Sequence, residues 1–332
     1  MSADGSSARH TGDISMGYPA CRGSERGPTS MVKKFIKEAV SRSAESDDDR
    51  RKLASMTDPT NPAARSPDGS GPSDATILNF ALNLEYLEAE FYLRATTGQG
   101  LPDEMTTGTG TRGEVTGGGM VNFSNSVVRK FAREIASDER QHVAFLRSAL
   151  GEHAVSRPAI SLDTSFTAAA TAAGLIKSGE MFDPYANDLN FLFAAFLFED
   201  VGVSAFKGAA PLLSNKTYLD AAAGLLATEA YHAGIVRSAL YNEGMIDDAV
   251  FAGVQKLSDA RNSLDGPVDD DQGIGTSAEA NLIPTDANGI AYGRSAQSVL
   301  NIVYLNASPA NSGGFYPSGL NGDIAMSGGA AS

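Results

Sequence analysis

The pattern of apolar and polar positions predicts four long helices between residues 74 and 244. In the first helix, apolar and aromatic positions recur at spacings of four and three, the repeat of a single helix face. Similar stripes predict helices over 121–150, 188–210 and 216–244. The stripe of the first helix comprises Leu78, Leu82, Glu85, Ala89 and Tyr92.

The connections between these segments decide the predicted topology. Residues 151–187 form a long crossover, in which SFTAAATAAGLI is itself expected to be helical, whereas PLLSN at 211–215 is a short loop. A short loop places consecutive helices antiparallel, and a four-helix bundle with one long crossover has the ferritin-like topology. No segment from 74 to 244 alternates as a strand, so the sequence predicts an all-α fold.

Two segments flank this predicted bundle domain of residues 74–244. Residues 1–73 are rich in Ser, Gly, Asp, Arg and Pro and are predicted to form a disordered leader, with one short helix near 31–44. Residues 245–332 are loop-rich but carry Ile, Val, Leu and Tyr, so this C-terminal extension is expected to pack on the bundle or on a neighbouring subunit. Its acidic stretch DGPVDDDQG is expected to be a solvated turn.

Composition limits the binding partners and the cellular compartment that are expected for this protein. The net charge of -14 argues against binding to nucleic acid or to anionic membranes. A single cysteine, Cys21, leaves no disulfide within the chain, and the longest apolar run has eight residues, too few to span a bilayer. No signal peptide is evident, so a cytoplasmic protein is the default expectation and an exported one the alternative.

Two of the four histidines occupy matched positions in the second and fourth helices. The segments SDERQHVAFLRSAL and ATEAYHAGIVRSAL share ExxHxxxxRSAL at an offset of ninety residues, with Glu139 and His142 in one and Glu229 and His232 in the other. Residues three apart on a helix share a face. Both pairs fall where the apolar stripe requires core residues, so the sequence predicts that they are buried and face the bundle interior.

Two further glutamates interrupt the apolar faces of the other helices. Glu199 follows eight consecutive apolar residues, and Glu85 lies on the stripe of the first helix. Buried carboxylates persist only with compensating charge, and two divalent cations supply what two histidines cannot. One Glu from each of two helices and an ExxH from each of the other two form the ligand set of di-iron and di-manganese bundles. The predicted ligands of two Fe or two Mn ions are Glu85, Glu139, His142, Glu199, Glu229 and His232.

Other side chains are expected to support these ligands. Glu88 is an alternative ligand or a supporting neighbour, and Tyr92 and Tyr231 are candidate supporting donors, although core packing is the commoner role of a tyrosine. Arg147 and Arg237, five residues after each histidine, are expected to pair with surface or inter-helix carboxylates. No catalytic residue is predicted beyond the metal ligands. Oxygen-rich ligands with two imidazoles favour iron or manganese over zinc, without deciding between the two.

Several stretches resemble the ferritin-like desiccation-related protein family over roughly residues 74–322. They are ILNFALNLEYLEAEFYLRA, FDPYANDLNFLFAAFLFEDVGVSAFKGAAPLL, and QSVLNIVYLN followed by GGFYPSGLNG. The resemblance implies a four-helix ferritin-like domain and an association with stress or desiccation, but no settled enzymatic activity. Some relatives lack part of the ligand set, whereas all six positions carry ligand types in this chain.

Two functions from different classes follow. One is a dinuclear-metal oxidoreductase that consumes dioxygen or peroxide, by iron(II) oxidation or by catalase-like disproportionation. The other is a structural stress-protection protein in which metal only stabilises the bundle. A storage cage is a lesser option, because the long C-terminal extension favours a monomer or a small homo-oligomer over a cage subunit.

Overall fold

The four predicted long helices are present in the computed structural model, which describes residues 71–266 and 268–328. The all-α fold is confirmed, with seven α-helices in the described part of the chain. The short helix expected near 31–44 lies outside the described residues. The helices are α1 Asp74–Thr97, α2 Ser126–Leu150, α3 Thr164–Ala172, α4 Asp188–Ala209, α5 Lys216–Gly244, α6 Ala249–Asp265 and α7 Ala296–Val303.

Local side-chain chemistry explains where the helices begin and end. The Ser73 hydroxyl accepts a hydrogen bond from the Thr76 amide at the start of α1, and Gly98 closes α1 with a φ of 75°, a left-handed conformation that favours glycine. The Asn125 side chain accepts from the amides of the first turn of α2. The second helix therefore begins at Ser126 and not at residue 121 as its apolar pattern predicts, because the cap and not the pattern fixes its start.

The bundle is built from two closely packed helix pairs. α1 packs mainly along α2, and α4 packs mainly along α5. The two pairs share an aromatic core around Phe91 of α1, whose ring stacks on Phe191 at a centroid distance of 5.4 Å and meets Phe198 edge-on at 5.4 Å. This aromatic core holds α1 against α4.

The helix α4 is apolar on all sides because it lies in this core. The segment Asp188–Leu212 is long and apolar enough to cross a membrane by composition, but 78% of its most apolar window is buried within the protein. Such burial is typical of the central helix of a bundle.

A small parallel sheet is the one departure from the all-helical prediction in the described residues. Strands β1, Val115–Gly117, and β2, Ile160–Leu162, pair in register and join the loop after α1 to the crossover. Three residues are too few to show an alternating pattern, so the sequence could not reveal them. Single 3-10 turns lie at Asp103–Met105, Gly151–His153 and Ala210–Leu212.

The C-terminal segment contacts the bundle through buried ion pairs. α6 packs on α5, and α7 packs on α6 and α4. The guanidinium of Arg261 donates to Asp200 of α4 at 2.9 Å and to Asp271 at 2.6 Å, and Arg294 also donates to Asp271 at 2.9 Å. The expectation of a solvated turn is therefore wrong for Asp271, which is only 7% exposed. Arg261 and Arg294, which lie 10 residues before and 23 residues after Asp271, neutralise this carboxylate.

Candidate metal centre

The structure brings the six predicted ligands together inside the bundle. All six side chains are buried, with no residue more than 7% exposed. Their donor atoms form two groups, one with Glu85, Glu139, His142 and Glu229 and the other with Glu139, Glu199 and His232. In each group the ligand atoms lie within 4.8 Å of one another.

Glu139 belongs to both groups because its two oxygens face different histidines. Its Oε2 lies 3.4 Å from Nδ1 of His142, and its Oε1 lies 2.9 Å from Nδ1 of His232. Nδ1 of His142 also lies 3.3 Å from Glu85 and 3.4 Å from Glu229. Nδ1 of His232 lies 3.6 Å from Glu199. Both imidazoles therefore present the same nitrogen to the carboxylates.

The donor atoms of this cluster fit a cation better than they fit one another. Nδ1 of both histidines, both oxygens of Glu85, Glu139 and Glu229, and one oxygen of Glu199 make no hydrogen bond within the described residues. Buried polar atoms without partners are costly, and convergent carboxylates repel. No described lysine or arginine pairs with these glutamates. A cluster of hard oxygen donors with two imidazole nitrogens is chemically suited to hold metal.

The carboxyl groups and imidazoles of this cluster shift one another's pKa values. Burial raises the pKa of Glu85 and of Glu199 well above the ordinary value, although the neighbouring imidazoles partly oppose it. Burial also acts on Glu139, but the two imidazoles outweigh it and lower the pKa of this carboxyl. Burial would lower the pKa of His232, yet the carboxylates of Glu139 and Glu199 raise it to about 10. Protons and metal ions would therefore compete for these donor atoms.

The three side chains expected to support the ligands lie in different environments. The Tyr92 hydroxyl donates a short hydrogen bond to Oε1 of Glu199 inside the core. Glu88 is buried beside the cluster and is 5% exposed. Tyr231, in contrast, is 74% exposed and cannot support His232, so that expectation is wrong. Consecutive helix residues point about 100° apart, which turns Tyr231 outward when His232 faces inward.

Asp138 is a supporting residue that the sequence analysis missed. Its Oδ2 lies 3.2 Å from Nε2 of His232, the ring nitrogen that faces away from the carboxylate cluster. A carboxylate at this position fixes the ring orientation and the tautomer of a metal-binding histidine. The residue ninety positions later, beside the other ExxH, is Thr228, whose hydroxyl donates to Gly224 O at 3.2 Å. The two halves of the centre therefore differ in their supporting groups.

Solvent approaches the centre on the side of α2 and α5. A cleft of about 620 Å³ lies between these helices, with His142 among its lining residues. The residues that line it are mostly small or polar, and His142 is the one titratable side chain among them. They include Gln141, Phe145, Ser148, Gly224 and Thr228. The cleft is large enough for small solutes to reach the level of His142.

Comparison with known proteins agrees with the fold and with the cluster. A profile of the family described as Ferritin-like domain matches residues 73–242. The desiccation-related protein PCC13-62 of Craterostigma plantagineum is 30% identical over 265 residues, which cover 75% of this chain and 83% of that protein. The ferritin-like catalase Nec2 of Nesocodon mauritianus is 27% identical over 271 residues, covering 77% of this chain and 86% of that protein. No solved structure matches this chain. The chain therefore belongs to the ferritin-like desiccation-related protein family.

Proposed function

We propose that this protein is a dinuclear-metal oxidoreductase whose substrate is peroxide. The observation that carries the proposal is the position of Glu139, a buried carboxylate whose two oxygens face two different histidines. Glu139 would thus help to hold both ions of a dinuclear centre. The similarity to a protein named a ferritin-like catalase supports peroxide as the substrate class.

The residues suit two iron or two manganese ions. Glu85, His142 and Glu229 would hold one ion and Glu199 and His232 the other, with Glu139 belonging to both groups. Four carboxylates carry the charge that two divalent cations neutralise, which explains how so many buried glutamates coexist. When bound, such ions supply redox equivalents and open coordination positions for an oxidant.

The protein's own contribution is to orient the ligands and to limit solvent. Tyr92 holds one oxygen of Glu199, and Asp138 holds the distal nitrogen of His232. The aromatic core around Phe91 keeps water from the α1 and α4 side, while the cleft between α2 and α5 admits small solutes. The overall reaction is balanced as two molecules of hydrogen peroxide giving two of water and one of dioxygen, without an external reductant.

The test is turnover by protein of known metal content. Chain purified without added metal is analysed for iron and manganese, then loaded with either ion and assayed for dioxygen release from peroxide. The proposal expects about two ions per chain and release that is lost in Glu139→Ala. Glu134→Ala is the matched control, because Glu134 is an exposed carboxylate on the same helix.

Metal binding below one ion per chain, or equal turnover in both variants, would reject the proposal. Dioxygen uptake with iron(II), without peroxide turnover, would replace peroxide by dioxygen as the substrate.

A structural stress-protection protein is the second candidate. It is favoured by the similarity to a desiccation-related protein and by the buried ion pairs that join Asp200 of α4 to Arg237 and Arg261. In that case metal would raise the unfolding temperature but would support no turnover. Peroxide turnover by the loaded protein that disappears in His232→Ala, with its circular dichroism unchanged, would exclude this candidate.

A further inference from the structure

Glu88 is a buried carboxylate that the six-ligand centre does not use. It lies three residues after Glu85 on α1 and is 5% exposed. Its side chain makes no hydrogen bond or ion pair with any described residue, and its Oε2 is fully buried. Burial raises the pKa of this carboxyl, and the neighbouring carboxylates of Glu229, Glu139 and Glu199 raise it further. Glu88 therefore lies beside the two ligand groups without belonging to either, and no described lysine or arginine neutralises it.

The glycine at position 202 makes room for this extra carboxylate. Each metal-facing helix carries a glutamate, and the residue three positions later is Glu88 on α1, a histidine on α2, Gly202 on α4 and a histidine on α5. A Cβ atom at Gly202 would lie 2.5 Å from Oε2 of Glu229 and 3.2 Å from Oε1 of Glu88. A side chain there would occupy the space in which the two carboxylates lie.

A glycine in the middle of a helix needs such a reason. Glycine destabilises a helix interior by roughly 0.5–1 kcal/mol relative to alanine. Gly202 is buried within α4, and alanine would clash there with carboxylate oxygens and not with backbone. Glu88 and Gly202 both line a small apolar hollow of about 20 Å³, together with Leu84, Phe198 and Ile302. The polar groups near Glu88 are the carboxylates of the cluster and the hydroxyl of Tyr316.

We propose that Glu88 is a further metal-coordinating carboxylate, which reaches the centre through the space that Gly202 leaves. This inference rests on the metal site of the proposed function. Glu85, Glu139, Glu199 and Glu229 together balance the charge of two divalent ions, and Glu88 provides one more negative charge. A centre with this fifth carboxylate tolerates more positive charge than two divalent ions bring, as iron or manganese in higher oxidation states requires.

The test is Mn²⁺ binding by the full-length, metal-free chain, measured calorimetrically and by the electron paramagnetic resonance signal of free Mn²⁺. Glu88→Gln keeps the shape but removes the charge, and it is expected to raise the dissociation constant of one of two ions about tenfold or more. Glu88→Asp keeps the charge but withdraws the oxygens by one methylene, so a coordinating role predicts a similar loss. Gly202→Ala, which displaces Glu88 and Glu229, is expected to weaken binding as well. Glu90→Gln is the control, because Glu90 is buried on the same helix but pairs with Arg94 and Arg157.

The outcomes separate this inference from the proposed function. If the unmodified chain binds neither Mn²⁺ nor iron(II), the proposed metal site itself fails. If the unmodified chain binds two ions and Glu88→Gln binds them equally well, only the inference about Glu88 is overturned. Loss in Glu88→Gln but full affinity in Glu88→Asp would assign Glu88 a long-range electrostatic effect and would also overturn coordination.

Discussion

Replacing Asp138 by alanine is expected to weaken metal binding in one half of the centre. Asp138 accepts from the distal nitrogen of His232 at 3.2 Å, while the proximal nitrogen faces Glu139 and Glu199. The carboxylate thus holds the ring in the orientation and tautomer that leave Nδ1 free to bind metal. His142 has no carboxylate at the equivalent place, where the sequence carries Thr228.

The size of the effect follows from the exposure of the pair. Losing the carboxylate partner of a metal-bound histidine typically lowers metal affinity about 10- to 100-fold. The Asp138 side chain is 34% exposed, so water screens its charge and the lower end of that range applies. We therefore expect a loss of about tenfold, equivalent to about 1.4 kcal/mol, in one of the two sites.

Calorimetric titration of Mn²⁺ into metal-free protein at fixed pH and ionic strength measures this loss. Asp138→Ala should weaken one site, and Asp138→Asn should recover part of the affinity because its amide oxygen still accepts from the ring. Thr228→Ala is the matched control, because Thr228 holds the corresponding position ninety residues later on α5, and it should leave both affinities unchanged. Equal losses in Asp138→Ala and Thr228→Ala, or no loss in either, would refute the assignment of Asp138 as a positioning residue.

Three further predictions concern the cleft, the protons and the C-terminal segment. Gly224 lines the cleft, and a Cβ atom there would meet no other atom, so the side chain in Gly224→Leu would project into the cleft. This variant should lower kcat/KM for peroxide about tenfold without changing Mn²⁺ affinity. Gly234→Leu on the same helix should leave kcat/KM unchanged. The pKa of His232 is raised from the ordinary 6.5 to about 10, so the imidazole is protonated below that pH and must lose its proton to bind metal. Mn²⁺ affinity should therefore rise with pH up to about 10, and a pH-independent affinity would contradict this. Arg261→Met removes a buried cation from two carboxylates and should lower the free energy of unfolding by about 3 kcal/mol, while Lys256→Met, with one exposed hydrogen bond, should change it little.

The fold was predictable because its stability comes from long helices with strong periodicity. The bounds of α1 and α5 follow from the apolar stripe together with the capping residues Ser73 and Asn215. The start of α2 was harder to predict, because the apolar residues before Asn125 extend the pattern beyond the cap. The parallel pairing of β1 with β2 joins residues 45 positions apart, and no local pattern encodes such a contact.

The candidate ligands were predictable for a different physical reason. A charged or imidazole side chain on an apolar stripe is costly, so each of the six stands out against its own helix. Asp138 does not stand out, because it lies at the edge of that stripe and a third of its side chain is exposed. Tyr231 is adjacent to His232 in sequence but not in space. Helix periodicity turns it about 100° from His232, and its side chain is exposed to solvent.

Of the two arginines in the RSAL repeat, one fits the sequence expectation and the other does not. Arg237 pairs with Asp200 at 2.7 Å across α5 and α4, which confirms an inter-helix carboxylate partner. Arg147 has no carboxylate partner among the described residues and donates instead to the Tyr86 hydroxyl at 2.6 Å and to the Thr107 carbonyl at 2.5 Å. The two arginines therefore use different chemistry at equivalent positions.

Their geometric role is nevertheless the same. Tyr86 directly follows Glu85 on α1, and Asp200 directly follows Glu199 on α4. Each arginine thus joins its own helix to the residue beside the glutamate of the paired helix, five residues beyond the histidine of ExxH. Because neighbouring helix residues point about 100° apart, the arginine contact lies outside the cluster while the glutamate faces into it. A hydrogen bond at this place fixes the axial position of one helix relative to the other. In each helix pair it therefore brings the glutamate of one helix level with the ExxH motif of the other. The arginines of the matched RSAL segments therefore align the glutamate and the ExxH motif within each half of the centre.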